Sequence, residues 1–407
     1  MSQVYTKDRP LPFAEQRRRL TVSNVDAGGS APPDATKLAR GRPTTNRGLV
    51  QFMKANDPFA CACTVVGGPS PAQGGGAKTS TGRVSISSET SANQESFAEK
   101  TQGKDGDPDA CTKDKLTELG VGIGCKKGMK PEAPNQDSYA FVHCPGEFTL
   151  YGVFDGHGIN GHDVSNFCRE YMVKLFLSDP DRDTNTEKAF HNSFRKAQQM
   201  LENEMSGQID ARTSGTTATM AYRCLSQVAG QDDSHKLHVA HCGDSRASLV
   251  FERKGKISGQ EMTHDHKPET PEEKRRIESS GGCVIFDGYY NHRVFKRGTV
   301  YPGLNMSRAM GDIIGHKEAG IVETPDYKCY NLKEMPGVTS FMLCSDGVWE
   351  FIDCDEVAQM ANKHKGKNGK VEPVAAAEAI CRESYQRWMD DTGGEVSDDI
   401  TCLIQVL

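Results

Sequence analysis

Short apolar runs in this sequence repeatedly end or begin at an aspartate beside a turn. The runs have the length of β-strands, and small residues adjoin most of the acids. The acids in question are Asp137, Asp155, Asp244, Asp346, Asp398 and Asp399. A single aspartate of this kind is usually a turn former, but carboxylates at several strand ends can converge at one rim of a sheet. Because converging carboxylates cannot all stay ionised without cations between them, the pattern indicates a sheet-based fold with a metal site.

The chemistry of these side chains narrows the choice of metal. Carboxylate oxygens are hard ligands that suit Mg²⁺ or Mn²⁺, whereas zinc would call for His and Cys at short spacing, which the sequence lacks. In the stretch "FDGHG", Gly156 and Gly158 would let the backbone approach a metal closely. We therefore interpret Asp155 as a ligand and His157 as a polar group presented beside it.

From residue 112 onward, strand signals alternate with helix signals. Apolar runs of strand length occur at 148–154, 236–242, 247–251, 340–344 and 400–407. Apolar residues at three- and four-residue spacing predict helices directly after Asp163, over 186–205 and over 373–389. The sequence "TPEE" at 270–273 predicts a capping box at the start of a further helix, which Gly281 and Gly282 would end.

The first 110 residues have a different composition from the rest. They contain only five aromatic residues and are rich in Gly, Ser, Pro, Ala and Thr, so they cannot bury enough apolar surface to offset the entropy of ordering. We expect residues 1–112 to be a mostly disordered, low-complexity tail and residues 113–407 to form one large domain. Lys and Arg number 14 against 11 acids up to residue 110, and 35 against 44 beyond it. This acidic body argues against a nucleic-acid-binding protein.

The cysteines and the N-terminus bear on the compartment. The 14 cysteines are scattered without a C-x-x-C pair, and several lie inside apolar runs, which is typical of a reduced, intracellular protein. The sequence has no apolar targeting segment at its start and no run long enough to span a membrane. We therefore expect a cytoplasmic or nuclear protein, or one found in both, with no transmembrane segment.

Eight motifs occur in the order found in one enzyme family. They are "VFDGHGINGH", "SGTTA", "HCGDSRA", "THDHKP", "SGGCV", "MSRAMGD", "CSDGVWE" and "SDDIT". With these motifs, from about Gly120 to the C-terminus, the chain resembles the metal-dependent serine/threonine protein phosphatases of type 2C. The resemblance implies an α+β fold, a four-layer α-β-β-α sandwich with two central, mainly antiparallel sheets, in which 113–407 is the catalytic domain. It also implies phosphorylated protein substrates, hydrolysed by direct attack of a metal-bridging water or hydroxide, and we expect a monomer.

The resemblance assigns roles to individual residues. His157 matches the histidine that protonates the leaving group. Several residues match the family's ligands of Mg²⁺ or Mn²⁺. Asp155 matches the carboxylate that bridges two metals, Gly156 matches a carbonyl ligand, and Asp346 and Asp398 match the acids of the second metal. Asp137 matches an acid that acts mainly through water, and Asp244 matches a ligand of a possible weak third metal.

The chain departs from the family pattern at several positions. Gln136 stands where some members have Glu, Asp399 where Asn is common, and Glu350 where an Asp often assists the third metal, so the occupancy of that third site stays open. The phosphate-binding Arg of some members has no clear equivalent before Asp137. A lysine could replace it as a point charge without bidentate geometry, and we favour Lys130 for this role.

The resemblance also implies a flap beside the active site, at about 286–305. Its aromatic and basic residues, which could contact the residues that flank a substrate phosphate, are Tyr289, Tyr290, Arg293, Lys296 and Arg297. An ordinary surface loop, whose side chains are satisfied within the protein, is the alternative interpretation of this segment.

Three other functions compete with metal-dependent phosphatase activity. A cysteine-based phosphatase requires an Arg six residues after its Cys, but Arg246 follows Cys242 by only four. A pseudophosphatase that binds phosphoproteins would be indicated by the loss of a bridging acid, and the acids are present. A two-metal nuclease would require a basic surface, which the acidic body does not favour. Metal-dependent phosphatase activity is therefore the favoured hypothesis.

Overall fold

The computed structural model describes the backbone of residues 84–87 and the full structure of residues 113–129, 134–225 and 234–407. The predicted tail falls almost entirely outside these ranges, and so does Lys130. The elements described below all belong to one compact unit, which lies within residues 78–407. No helix in the described ranges is both long and apolar enough to cross a bilayer.

One central sheet has six antiparallel strands in the order β1-β3-β4-β7-β8-β15. These strands are β1 (Val84–Ser87), β3 (Ser138–Cys144), β4 (Phe148–Phe154), β7 (Ala218–Cys224), β8 (Lys236–Cys242) and β15 (Asp326–Asn331). Strand β1 lies within the segment predicted to be a low-complexity tail, and its backbone pairs with β3 along the edge of the sheet. The sequence analysis did not predict this strand.

The second central sheet has five antiparallel strands in the order β10-β9-β16-β17-β2. They are β2 (Val121–Lys126), β9 (Arg246–Arg253), β10 (Lys256–Glu261), β16 (Val338–Cys344) and β17 (Ile400–Val406). The central strands β16 and β17 are buried along most of their length, as their nearly continuous apolar runs predict.

Helices cover the outer face of each central sheet. Helices α2 (Gly161–Leu177) and α3 (Thr186–Glu202) pack on the six-stranded sheet, and α7 (Cys354–Lys363) and α8 (Pro373–Thr392) pack on the five-stranded sheet. The shorter helices are α1 (Lys113–Glu118), α4 (Pro271–Ser279), α5 (Ile313–Glu318) and α6 (Asp346–Trp349), and a 3₁₀ turn spans Leu332–Glu334. The layers confirm the predicted α+β sandwich, and α2, α3 and α8 lie where the apolar spacing predicted helices.

The two sheets pack face to face through aromatic and aliphatic side chains. The ring of Tyr151 meets Phe341 of the opposite sheet edge to face, with centroids 5.0 Å apart. The hydroxyl of Tyr151 donates a hydrogen bond to Oε1 of Gln405 at 2.6 Å, which satisfies the one polar atom of this buried ring. Both sheets are therefore fixed against each other at their centre.

Helix α4 begins where predicted, but the capping box does not form. Thr270 precedes the helix without a side-chain capping bond, so this prediction was wrong. Glu273 instead turns inward, pairs with Arg308 at 2.6 Å and Arg276 at 2.7 Å, and accepts a short hydrogen bond from Ser307. Burial alone would raise the pKa of Glu273, but the bonds from Arg308 and Ser307 lower it to about 2. Tertiary partners thus outcompete the local cap.

Two small three-stranded sheets complete the fold. The first contains β11 (Gly282–Phe286), β12 (His292–Lys296) and β13 (Pro302–Leu304), and so forms the segment implied to be a flap. The second contains β5 (Gly156–His157), β6 (Gly215–Thr216) and β14 (Met310–Gly311) in the order β14-β6-β5. This second sheet joins three distant parts of the sequence next to the predicted acids.

Replacing Phe341 with Ala should reduce the free energy of unfolding by about 3–5 kcal/mol, because this fully buried ring would leave a cavity between the sheets. Urea unfolding monitored by circular dichroism would measure the loss. Phe286→Ala is the matched control, since Phe286 is 50% exposed on the flap. Equal effects of the two substitutions would contradict the packing described here.

Candidate metal centre and active site

The acids that the sequence placed at strand ends lie together at one rim of the sandwich. Ser138 pairs with Phe154 at one end of β3 and β4, so Asp137 and Asp155 emerge from the same end of the six-stranded sheet. Likewise Cys344 pairs with Cys402, so Asp346 follows β16 at the end where β17 begins. The register of both sheets therefore produces the predicted convergence.

The electrostatics of this cluster are dominated by burial and mutual repulsion. Burial in the first place, and then the charges of Asp346, Asp137 and Asp398, raise the pKa of Asp155 well above its ordinary value. Burial and the charges of Asp244 and Asp398 similarly raise the pKa of Asp346. Both carboxylates keep a partial opening to solvent. Carboxylate oxygens that repel one another at the rim of the sandwich fit a pair of hard divalent cations.

Asp137 ties the two sheets together at this rim. Its Oδ2 accepts hydrogen bonds from the hydroxyls of Ser345 and Thr401, each at 2.7 Å, and its side chain is fully buried. Ser345 directly precedes Asp346, and Thr401 lies on β17, which follows Asp398. Asp137 of one sheet is therefore bonded to the other sheet beside both of these acids. A fixed orientation of Asp137 relative to the other acids follows from these bonds.

Asp244 has a cationic partner that the sequence analysis missed. The ammonium of Lys267 lies 2.5 Å from Oδ2 of Asp244, and Asp244 is 1% exposed. Burial acts to lower the pKa of Lys267, but the charges of Asp244 and Asp265 raise it above its ordinary value. The other oxygen of Asp244 is buried without a hydrogen-bond donor among the described residues. A metal could use that oxygen, but it would meet the ammonium already bound to the carboxylate.

The two unusual residues Asp399 and Gln136 hold the segment that leads into Asp137. Asp399 accepts from the backbone N–H groups of Gly128 at 2.6 Å and Gln136 at 2.7 Å. The Gln136 amide donates to the carbonyl of Gly158 at 2.6 Å. An ionised Glu has no proton for this bond, so the amide connects the two loops directly. Both departures therefore have structural roles here.

The glycines around His157 are required by backbone packing. A Cβ on Gly156 would lie 2.5 Å from the carbonyl oxygen of Gly161 and 2.6 Å from that of Gln136. Gly158 has a left-handed φ of +81°, which favours glycine. The sequence analysis explained these glycines by close approach to a metal, whereas the structure shows close approach to neighbouring backbone. His157 Nε2 lies 2.6 Å from Oδ2 of Asp312, a second partner that was not predicted.

The basic residues predicted on the flap have partners within the protein. Arg293 pairs with Asp287, Lys296 pairs with Glu318, and Arg297 donates to backbone carbonyls. Tyr290 is 44% exposed, together with the apolar side chains of Ile285, Phe286 and Val300. The flap therefore presents apolar side chains to solvent, while its basic groups bond to other groups of the protein.

The rival cysteine chemistry has no support from the geometry. Burial raises the pKa of Cys242 well above its ordinary value, so its thiol stays protonated. The guanidinium of Arg246 makes a bidentate pair with Asp265, with bonds of 2.5 and 2.9 Å. Neither residue is available for a cysteine-based phosphate loop.

A second group of possible ligands contains His241, His266 and Asp326. Nδ1 of His266 accepts the N–H of Gly243 at 3.0 Å, so in the neutral ring the proton is on Nε2, which lies 3.4 Å from Asp326. A protonated nitrogen cannot ligate a metal. His266 instead holds the turn that carries Asp244.

Comparisons with known proteins agree with this geometry. A sequence profile described as Protein phosphatase 2C matches residues 131–393. The chain is 27% identical to Probable protein phosphatase 2C 35 of Arabidopsis thaliana, over 69% of this chain and 81% of that protein. It is 32% identical to Probable protein phosphatase 2C 61 of the same plant, over 60% of this chain and 73% of that protein.

Solved structures share the fold. One is the serine-threonine phosphatase 2C from Toxoplasma gondii, with a TM-score of 0.57 and 21% identity over 70% of this chain and 94% of that one. Another is a C. elegans sex determining protein, with a TM-score of 0.55 and 19% identity over 71% of this chain and 64% of that one. At these identities the likeness concerns the fold alone.

We expect Asp155→Asn to change the pH dependence of stability when EDTA removes metals. Because the folded-state pKa of Asp155 is raised, its stabilising contribution is present below about pH 4 and is lost as pH rises through that raised value, by about 1.4 kcal/mol for each pKa unit. The variant should therefore lose less stability than the natural chain between about pH 4 and pH 8. Asp163→Asn, at a half-exposed acid, is the control. Urea unfolding at a series of pH values would measure the free energy of unfolding of the three proteins. Parallel curves of this free energy against pH would contradict the raised pKa of Asp155.

Proposed function

We propose a mechanism for this chain, which belongs to the protein phosphatase 2C family and is therefore a serine/threonine protein phosphatase. In this proposal the acidic rim binds two divalent cations, Mg²⁺ or Mn²⁺. The enzyme hydrolyses phosphoserine and phosphothreonine there by direct attack of water. The observation that carries this proposal is the convergence of Asp155 and Asp346 with raised pKa values. Cations that bind between these carboxylates and neutralise their charge would explain why the fold holds them so close together. No observation favours the pseudophosphatase alternative, which required the loss of such an acid.

We assign the ligands as the sequence motifs imply. Asp155 and the carbonyl of Gly156 lie at the end of β4, Asp346 begins α6, and Asp398 precedes β17. Asp137 would act through an intervening water, since one of its oxygens is already bonded to Ser345 and Thr401. Two cations at this rim would lower the pKa of a shared water and neutralise charge on the phosphoryl group.

His157 supplies the proton for the leaving group in this proposal. Seryl and threonyl alkoxides are strongly basic, so a positioned acid accelerates their departure. His157 directly follows the proposed ligands Asp155 and Gly156 in the sequence, and its ring is held by Asp312. The base that binds the substrate phosphate stays a prediction, with Lys130 as the candidate.

The third cation of the proposal is weak because Lys267 competes with it. An ammonium 2.5 Å from Asp244 supplies positive charge at the carboxylate that a third metal would use. A third ion must therefore displace Lys267 or share Asp244 with it. We propose two tightly held cations and a third one that binds only at high concentration.

The chain's partners and compartment are also proposals. Phosphorylated proteins are the proposed substrates, and a monomer in the cytoplasm, the nucleus or both is the proposed state. Buried cysteines such as Cys168, Cys242 and Cys381 are thiols that form no disulfide, which supports a reducing compartment.

The decisive test is hydrolysis of p-nitrophenyl phosphate and a phosphothreonine peptide by the full chain with Mn²⁺, Mg²⁺ or EDTA. Activity should require the metal, and Asp155→Asn should lower kcat by about 10³-fold or more, because the bridging carboxylate is lost. Asp163→Asn, an acid on the exposed part of α2, should leave kcat unchanged. A folded, metal-supplied natural chain that hydrolyses neither substrate would refute the proposal.

Lys267→Met should destabilise the metal-free protein by about 3–5 kcal/mol, because Asp244 would be left buried without its cation. Millimolar Mn²⁺ should recover more of the melting temperature in this variant than in the natural chain, since a metal would take the place of the ammonium. Lys274→Met is the control, because Lys274 lies on the exposed face of α4. Identical Mn²⁺ titrations of the three proteins would argue against competition at Asp244.

A further inference from the structure

His157 has a buried anionic partner on a distant part of the chain. Its Nε2 lies 2.6 Å from Oδ2 of Asp312, whose side chain is only 2% exposed. The two residues are 155 positions apart in the sequence. We propose that Asp312 is a positioning residue for His157, which holds the imidazole in one orientation and one tautomer for proton transfer. The inference rests on the proposed function insofar as it assigns a reaction to His157.

The small sheet β14-β6-β5 builds this pair. His157 on β5 is in register with Gly215 on β6, and Gly215 is in turn in register with Gly311 on β14, next to Asp312. A Cβ on Gly215 would lie 2.2 Å from Oδ2 of Asp312 and 2.7 Å from Nε2 of His157. The pair therefore occupies the space that any side chain at position 215 would need.

The backbone of Asp312 is strained in a way that serves the contact. Its φ of 42° and ψ of 44° are left-handed, and among the described residues only Lys254 shares a positive φ without being glycine. Its backbone is fixed by the N–H bond to the carbonyl of Ser214 at 2.9 Å. Strain of this kind persists where the surrounding structure enforces it, commonly at functional sites.

Asp312 also gives up the role that its position in the helix offers. It precedes α5, where an aspartate usually accepts hydrogen bonds from the first backbone N–H groups of the helix. Asp312 makes no such side-chain bond. Its carboxylate is turned to His157 instead, so the local capping preference is overridden by the contact with the ring.

The chemical consequence concerns the two ring nitrogens. A carboxylate accepts but cannot donate, so Nε2 of His157 carries a proton toward Asp312. Nδ1, which is shielded from solvent, is then the nitrogen left to exchange a proton with a substrate. Without Asp312 the ring can rotate or change tautomer, and the proton is no longer delivered to the leaving oxygen.

The first test compares leaving groups in the full chain with Mn²⁺. We expect Asp312→Asn to lower kcat for a phosphothreonine peptide by about 10–100-fold, because the threonyl alkoxide needs a proton. Hydrolysis of p-nitrophenyl phosphate should change by less than about threefold, since p-nitrophenolate leaves without protonation. Asp353→Asn is the matched control, because Asp353 is the aspartate that precedes α7 and does cap it. It should change neither rate.

Two further variants separate positioning from folding. Asp312→Gly accepts the left-handed backbone but lacks the carboxylate, so it should fold at least as stably as Asp312→Asn and show the same selective loss. Adding Asp312→Asn to His157→Ala should lower peptide hydrolysis no further than His157→Ala alone, since Asp312 acts only through the ring. Equal losses on both substrates in folded variants, or losses that multiply in the double variant, would overturn the proposal.

Nitrogen-15 NMR of the histidines provides a readout that does not depend on activity. Without metal, the His157 signal, identified by its absence in His157→Ala, should show a proton on Nε2 that is no longer fixed there in Asp312→Gly, which lacks any side-chain acceptor. A ring that carries a proton on Nδ1 but none on Nε2 in the natural chain would overturn the proposal. If the natural chain proved inactive on both substrates while this signal remained, the proposed function would fail but the pairing of Asp312 with His157 would stand.

Discussion

Repulsion among clustered carboxylates is the constraint on which the rest of this structure depends. Burial, and then the charges of neighbouring acids, raise the pKa values of Asp155 and Asp346 well above their ordinary range. The surrounding residues compensate by donating to the remaining acids: hydroxyls bond to Asp137, an ammonium pairs with Asp244, and backbone N–H groups bond to Asp399. The rim is therefore a set of charges held in place by donors, with a remaining deficit of positive charge that divalent cations can supply.

The position of that rim follows from the antiparallel sandwich. Asp137 and Asp155 adjoin strands of the six-stranded sheet, whereas Asp346, Asp398 and Asp399 adjoin strands of the five-stranded sheet. Asp244 lies on the connection from one sheet to the other, so the geometry of the rim depends on how the sheets pack. The same two sheets are joined at two places. In the core, Tyr151 packs against Phe341. At the rim, the hydroxyls of Ser345 and Thr401 donate hydrogen bonds to Asp137. Since catalytic geometry tolerates little displacement, the core that stabilises the fold also sets the alignment of the acids.

The sequence predicted those features that are local or periodic. The apolar runs predicted the central strands, the spacing of apolar residues predicted α2, α3 and α8, and acids at strand ends predicted their own convergence. What was missed depends on contacts between distant segments: Lys267 reaches Asp244, Asp399 holds the segment before Asp137, and Glu273 abandons its local cap for Arg308. No spacing rule reports such partners. "MSRAMGD" did contain Asp312, but its aspartate has no distinguishing local signal, because its left-handed backbone and its histidine partner exist only in the folded chain.

The flap has a separate small core formed by Ile277, Val294, Met306 and Ile321. Arg293 and Lys296 of the flap form ion pairs with Asp287 and Glu318, and the exposed tip of the flap carries apolar side chains. Substitutions at that tip would consequently change the exposed surface of the protein without touching the acidic rim. Such a division allows the surface to diverge between gene copies during evolution while the rim is inherited unchanged.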